Sequence, residues 1–448
     1  MKIPRNPILP LFILGLLLQL VGFFAVLSVS SSHNLPFPSL TGDSNHYRIL
    51  AENLIQKRAF DIYPDRPSPD SLRTPGYPVF LALLYFIGQT WVGAVFLQSA
   101  VMGFIPVLVY LIGKRAVSEG VGFVAGVLSA FDPIQIFYST LTLSDALFVL
   151  VLLLAVYALL TVYRESKAWW ILLAGGLLGF AVLVRPIGQF LIIPALGFLF
   201  FRRPDRKRFL VASGWLLAGF LLVVAPWSVR NKLLFNSWQL SAIGNFNAAY
   251  FTMLFLEQRT GISADEWQRQ LVRSAGTEDL GLLRSVDGGA LSLKFARSVV
   301  LEHPVAYTTF HIVKMIPFFL NDGLRDIVRL TGIYKAPLPN VSRSLLAGEY
   351  QLLWREVRAG GVNTVLLVTG ALAMLAVLAL AAVGAVVGMR SSEMRLVIYF
   401  FLFIILYFGL LTGPVANARY RMPAMPFLLI LAVYGAQALL QWKRGLAR

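Results

Sequence analysis

Asp43, Arg73, Asp132, Asp145, Arg185, Arg230, Arg419 and Arg421 each lie beside the end of a long apolar run. Ionisable side chains at or near a bilayer need a partner or a function. Acids and guanidinium groups gathered on one surface suit an anionic ligand clamped by arginine and a carboxylate that accepts a proton. For each arginine the competing reading is snorkelling to lipid headgroups. Asp43 stands in Thr41-Gly-Asp-Ser-Asn-His-Tyr47, where an amphipathic helix begins whose apolar face is Tyr47, Leu50, Ala51, Leu54 and Ile55. Its plainest role is therefore to cap that helix by accepting a backbone N–H. The chain has no Cys, so disulfides, thiolate metal sites and thiol nucleophiles are excluded. His33, His46, His303 and His311 show no metal-ligand spacing, and no metal site is expected from them.

The elements that must position these groups are membrane helices. Of 448 residues 57% are hydrophobic and only 14% charged, with a mean hydropathy of +0.71, too apolar for a soluble globular chain. The net charge of +17 would suit a nucleic-acid partner on a soluble domain. Here the basic residues punctuate apolar runs, so the expected partner is lipid and no nucleic acid. A span needs about 17 to 25 apolar residues. Ten candidates lie near residues 7–29, 91–113, 119–138, 143–163, 168–184, 187–201, 209–226, 362–388, 396–413 and 421–441. The run 75–88 is short enough to be re-entrant or interfacial, and 303–320, which carries His311, Lys314 and Pro317, reads either as a span or as an interfacial helix. The expected class is thus an all-α polytopic membrane protein of about 10–12 helices.

Short Lys- and Arg-bearing connections should face the cytoplasm. If neither ambiguous run crosses, one side collects Lys2 and Arg5; Lys114 and Arg115; Arg164 and Lys167; Arg202, Arg203, Arg206, Lys207 and Arg208; Arg390 and Arg395; and Lys443, Arg444 and Arg448. The long segments 30–74 and 227–361 then fall outside, the first with five basic and five acidic residues. Asp43, Arg73, Asp132, Asp145, Arg185, Arg230, Arg419 and Arg421 then share that outer side. The organisation expected is an N-terminal membrane module, 1–226, with its outer loop 30–74; an extracytoplasmic segment, 227–361; and C-terminal membrane helices, 362–448. Lys2 and Arg5 before an apolar run ending in Ser28-Val-Ser-Ser-Ser32 have the order of a signal peptide, but the run exceeds the usual h-region, so a retained helix is expected. The spaced glycines Gly122 and Gly126, Gly175 and Gly179, and Gly384 and Gly388 read as close helix contacts. No internal repeat or low-complexity tract is evident; Pro64 to Pro69 is a short Pro-rich turn, and Ser263-Ala-Asp-Glu266 a capping-box helix start.

Six segments carry a resemblance that covers residues 1 to 441. They are Asp43-x-x-x-Tyr47, Arg73-Thr-Pro-Gly-Tyr-Pro-Val-Phe-Leu-Ala82, Leu143-Ser-Asp-Ala-Leu-Phe148, Gly179-Phe-Ala-Val-Leu-Val-Arg-Pro186, Ala225-Pro-Trp-Ser-Val-Arg-Asn231 and Arg419-Tyr-Arg-Met-Pro423. In order and spacing the chain resembles the GT-C superfamily of polyprenyl-phosphate-sugar-dependent glycosyltransferases, and looks most like the bacterial protein-mannosyltransferase-like branch that includes the lipid A aminoarabinose transferases. The Pro-Gly-Tyr-Pro and Pro-Trp-x-x-Arg-Asn elements are the most telling.

The resemblance implies a GT-C helical bundle in the bacterial inner membrane, with an active site on its extracytoplasmic side. It implies a catalytic Asp in the first outer loop at Asp43, with Tyr47 beside it. Many relatives carry Glu directly after that Asp, where this chain has Ser44. Asp145 matches an acidic family position and either supplies the second carboxylate or caps the helix that starts there. Arg185, Arg230, Arg419 and Arg421 are the candidates for the donor phosphate, a bidentate geometry that Lys does not reproduce. Arg73, Tyr47, Tyr77 and Tyr420 are candidates for substrate contact. The implied reaction moves a sugar from a polyprenyl-phosphate donor to an acceptor hydroxyl or phosphate on a glycan, lipid or protein, with inversion. No cofactor is assigned, and a divalent cation is left open. The competing class is a transporter or flippase for a lipid-linked or anionic solute, which should place ionisable or broken-helix sites near the midplane with repeat symmetry.

Overall fold

The computed structural model describes residues 4–62, 69–165, 167–202, 205–333, 349–359 and 361–446. Most of the Pro-rich turn at 64–69, together with Lys2, Arg203 and Arg448 of the basic clusters, lies outside the described residues. Among the described residues all regular structure is helical. The first helices are α1 (Ile8–Ser32), α2 (Gly42–Lys57), α3 (Gly76–Gly88), α4 (Trp91–Met102), α5 (Ile105–Ala116), α6 (Glu119–Ala130) and α7 (Pro133–Ser139). They are followed by α8 (Asp145–Glu165), α9 (Ala168–Val184), α10 (Ile192–Arg202), α11 (Arg206–Phe235), α12 (Ile243–Thr260), α13 (Ala264–Ser274), α14 (Gly289–Glu302), α15 (Pro304–Leu320) and α16 (Leu324–Leu330). The C-terminal part holds α17 (Tyr350–Ala359), α18 (Gly361–Arg390), α19 (Arg395–Thr412), α20 (Ala418–Arg421) and α21 (Met425–Leu446).

Among the described residues seven helical segments are long and apolar enough to cross a membrane, and α6 with α7, bent by 54°, makes an eighth if the pair is one span. The remaining two of the ten expected spans are the shorter apolar helices α9 and Pro186–Arg202. The last span begins at Met425 rather than near 421, because Ala418–Arg421 forms its own short helix. α11 runs through Pro226 to Phe235 before Asn236 turns the chain with φ +51°. α3, at 13 residues, is about 20 Å long, too short for a straight crossing. α15 is not among the helices long and apolar enough to span.

Connectivity divides the ends of the bundle. α8 runs away from Asp145, α9 returns to Arg185, α10 leaves again and α11 returns to Arg230; α18 leaves, α19 returns, and α21 leaves after Arg421. Lys114 and Arg115, Lys167, Arg206, Lys207 and Arg208, Arg390 and Arg395, and Lys443 and Arg444 therefore occupy the opposite end from Asp43, Asp145, Arg185 and Arg419.

The close approach of these helices depends on glycine. A Cβ at Gly175 would collide with the backbone of Leu216, and one at Gly384 with the backbone of Leu431 and Gly435. A Cβ at Gly126 would lie 2.8 Å from the carbonyl of Pro106, and one at Gly179 2.8 Å from that of Phe220. These crossings bury apolar surface in the manner of small-residue membrane interfaces. Gly384→Leu should open the α18–α21 crossing and destabilise the protein by about 1–3 kcal/mol, the usual range for overpacking. The check is the unfolding midpoint in detergent, and a midpoint equal to wild type would contradict it.

Beyond α11 the segment Ile243–Leu330 forms a helical layer over the site end of the bundle. Its small core contains Ala249, Met253, Ala264, Leu271, Val272 and Leu283. α13 starts as its sequence suggested, with Ser263 Oγ accepting from the Glu266 amide at 3.2 Å.

Candidate active site

α2 is capped by Thr41, whose Oγ1 accepts from the Ser44 amide at 3.2 Å, and Ser44 Oγ meets the same oxygen at 2.9 Å. Asp43 is thereby relieved of capping and its carboxylate turns elsewhere. Arg73 Nη2 donates to Asp43 Oδ1 at 2.5 Å, and Arg419 reaches Asp43 Oδ2 at 3.4 Å. Arg419 Nη2 also donates to Asp145 Oδ2 at 2.9 Å, while Arg185 Nη1 donates to Asp145 Oδ1. Five residues from five separated segments thus form one ion cluster in which three guanidinium groups face two carboxylates.

The two acids differ in access. The Asp145 side chain is 1% exposed and that of Asp43 36%. Desolvation by itself would push the Asp43 carboxyl up, but Arg73 and Arg419, with Arg185 behind them, outweigh it and hold Asp43 well below the usual carboxylate range. Burial would lower Arg73, yet the surrounding acids and Tyr47 hold it above its ordinary value, so it stays charged. His46, one turn along α2, is pulled down by burial and by Arg73, leaving it neutral at pH 7.

Aromatic rings frame the cations. The Arg73 guanidinium lies 5.0 Å from the centre of the Tyr47 ring, Arg185 5.8 Å from Tyr420, and Arg419 5.6 Å from Tyr138 and 5.7 Å from Tyr420. Tyr47 is itself buried, its hydroxyl meeting Ser144 Oγ at 3.1 Å. Tyr77 is completely buried behind Tyr47, ring centres 4.9 Å apart, and donates to Gln98 Oε1 at 2.9 Å. Tyr77 therefore supports the site from beneath and offers no surface to a ligand.

Two of the expected arginines are not in the cluster. Arg230 donates to the Asp70 carbonyl at 3.0 Å and to Asn231 Oδ1 at 2.8 Å, with its guanidinium 4.4 Å from the Trp227 ring centre. Arg421 is buried and donates to the carbonyls of Phe318 at 2.7 Å and Phe319 at 3.3 Å, closing the C-terminal end of α15. Burial draws its pKa down to about 10, although Asp132 and Asp322 lie near it. Asp132 caps α7, accepting from the Ile134 and Gln135 amides at 2.9 and 3.3 Å.

The turn that presents Arg73 is held from two sides. Asp70 Oδ2 accepts from the Arg73 amide at 2.7 Å, and the outer layer stitches the same turn down. Ser241 Oγ donates to the Leu72 carbonyl at 2.5 Å, Ala242 N to the Ser71 carbonyl at 2.8 Å and Val286 N to Ser71 Oγ at 3.1 Å. An Asp three residues before Arg73 is the local signal for such a turn. The partners from 241–286 had none. Tyr138 was equally invisible, being one aromatic among many in an apolar run.

The donor set does not fit a divalent cation. Asp43 and Asp145 are both engaged by guanidinium groups, and among the described residues no three His, Asp or Glu side chains converge as a ligand set.

Residues 69–229, a little over a third of the chain, match the family model described as dolichyl-phosphate-mannose-protein mannosyltransferase. Two of the most similar solved structures are of the oligosaccharyltransferase of Archaeoglobus fulgidus. Its apo form aligns with a TM-score of 0.53 at 16% identity over 98% of this chain, and its complex with an inhibitory peptide and a dolichol-phosphate with 0.53 at 15% over 98%. The chain has the GT-C fold. It spans about half the length of these relatives, 51% of each. No curated protein matches the sequence. Within this GT-C fold the matched stretch carries Arg73, Tyr77, Asp145, Arg185 and the Trp227 neighbourhood, while Asp43 and Arg419 lie outside it.

Proposed function

We propose that this GT-C-fold protein is an integral membrane glycosyltransferase that moves a sugar from a polyprenyl-phosphate donor to an acceptor hydroxyl or phosphate. The observation that carries the reading is the cluster itself: a partly exposed carboxylate, Asp43, paired with Arg73 and Arg419, beside a buried one, Asp145, paired with Arg185 and Arg419, at one end of an apolar bundle. Such a donor brings its own anionic leaving group, so the protein needs cations for the phosphate and a base for the acceptor, and no nucleotide-binding domain. Asp43 takes the acceptor proton as its oxygen attacks the anomeric carbon. Arg73, Arg185 and Arg419 stabilise the charge that develops on the departing phosphate oxygens. Direct attack inverts the anomeric configuration. Asp145 is fully engaged by two arginines and serves to fix their positions.

By the charge asymmetry of the two ends, the active site faces the extracytoplasmic side of the membrane, the bacterial inner membrane by the branch it resembles. The layer 243–330 stands over the mouth and contacts the acceptor. A transporter reading is disfavoured because the ionisable cluster sits at helix ends and not at the midplane. The test is transfer from a labelled polyprenyl-phosphate sugar in membranes containing the protein. Label should leave the lipid for an envelope glycan, lipid or protein. Lipid-linked sugar that crosses the membrane unconsumed would sink the reading.

A further inference from the structure

A transferase site of this geometry places two demands on the same groups. A base must be free to take a proton, and phosphate-binding arginines must be free to take a phosphate. In this site the same hydrogen bonds occupy both. Asp43 Oδ1 is bound by Arg73 at 2.5 Å and Oδ2 by Arg419 at 3.4 Å. The charged or titratable groups that bear on Asp43 are Arg73 from the turn before α3, Arg419 from α20, Arg185 from the end of α9, and His46 on α2 itself. Among these the three arginines favour the bare carboxylate, which makes it a weak proton acceptor.

Resting on that reading, we propose that Arg73 and Arg419 mask Asp43 only while the donor site is empty, and that the lipid phosphate draws both guanidinium groups off the carboxylate, leaving Asp43 free to act as base. Arg73 is built for such a move. Its amide is held by Asp70 Oδ2, and the two residues before it, Ser71 and Leu72, are stitched to Ser241, Ala242 and Val286, so the exchange is confined to its side chain. Its guanidinium rests against the Tyr47 ring, a contact with little directional preference, and its Nε is buried without a partner. Arg419 Nε is likewise buried and unpartnered. Asp145 remains on Arg185, so that anchor stays charge-balanced during the exchange. No covalent bond changes in this step. The donor phosphate replaces Asp43 as hydrogen-bond acceptor, and only afterwards does the acceptor proton pass to Asp43 as the new glycosidic bond forms and the phosphate leaves.

The consequence is a site that becomes basic only with its donor in place. The experiment measures binding of a polyprenyl monophosphate to the full chain in detergent at pH 7.5. Asp43→Asn removes the charged competitor and should bind the lipid about tenfold more tightly than wild type, whereas Asp43→Glu, which keeps the charge, should stay within a few-fold. In wild-type turnover, the acid limb of kcat, which reports the donor-loaded enzyme, should lie at higher pH than the acid limb of kcat/KM, which reports the free enzyme. If wild type binds but Asp43→Asn gains no affinity, or if the two acid limbs coincide, the masking proposal is overturned while the transferase reading stands. If wild type does not bind the lipid phosphate at all, both fall.

Discussion

Asp43→Asn is expected to lower turnover by roughly 10²- to 10⁴-fold, the usual contribution of a positioned general base. The substitution is nearly isosteric and sits on a helix capped independently by Thr41, so the fold should survive it. The measurement is single-turnover transfer from the labelled lipid donor, with the donor saturating so that altered affinity does not enter. A variant that retains more than about a tenth of wild-type turnover would remove Asp43 from the role of base.

The second large effect is expected at Asp145. Its side chain is 1% exposed and bound by both Arg185 and Arg419. A buried ion pair adds little net stability by existing, but removing one partner leaves uncompensated charge behind, at a cost of about 3–5 kcal/mol. Asp145→Asn leaves three guanidinium groups, Arg73, Arg185 and Arg419, with Asp43 as their one carboxylate. We expect a fall in stability of that order, read from chemical unfolding in detergent, and a loss of activity that accompanies the displaced arginines. Unchanged stability would show that Arg185 and Arg419 reach other acceptors and that Asp145 is not their anchor.

These two acids illustrate how unevenly the sequence disclosed the site. Asp43 was recognisable from its place at the start of an amphipathic helix just beyond a membrane run, but that same place suited a helix cap. The choice was made by Thr41, two residues earlier, whose hydroxyl takes the amide that Asp43 would otherwise have served. For Asp145 the sequence left a catalytic and a capping role open, and neither describes the double arginine contact. Arg73, Arg185, Arg230, Arg419 and Arg421 are alike in sequence, each beside an apolar run. The fold sends three to the carboxylates, one to the Asp70 turn and one to the open end of α15.

Composition and hydropathy determined the class of this protein: the apolar runs demand a bilayer, the bilayer demands helices, and the basic connections divide their ends into two sets. Those are local properties, since a span is written in consecutive residues and needs no knowledge of its neighbours. The ion cluster is not local. Asp43 and Arg419 are separated by nearly the whole chain, and their contact depends on how α2, the Arg73 turn, α8, α9 and α20 pack. Only tertiary structure could sort five similar arginines, because burial and partner geometry, which decide what a guanidinium does, are absent from a one-dimensional pattern.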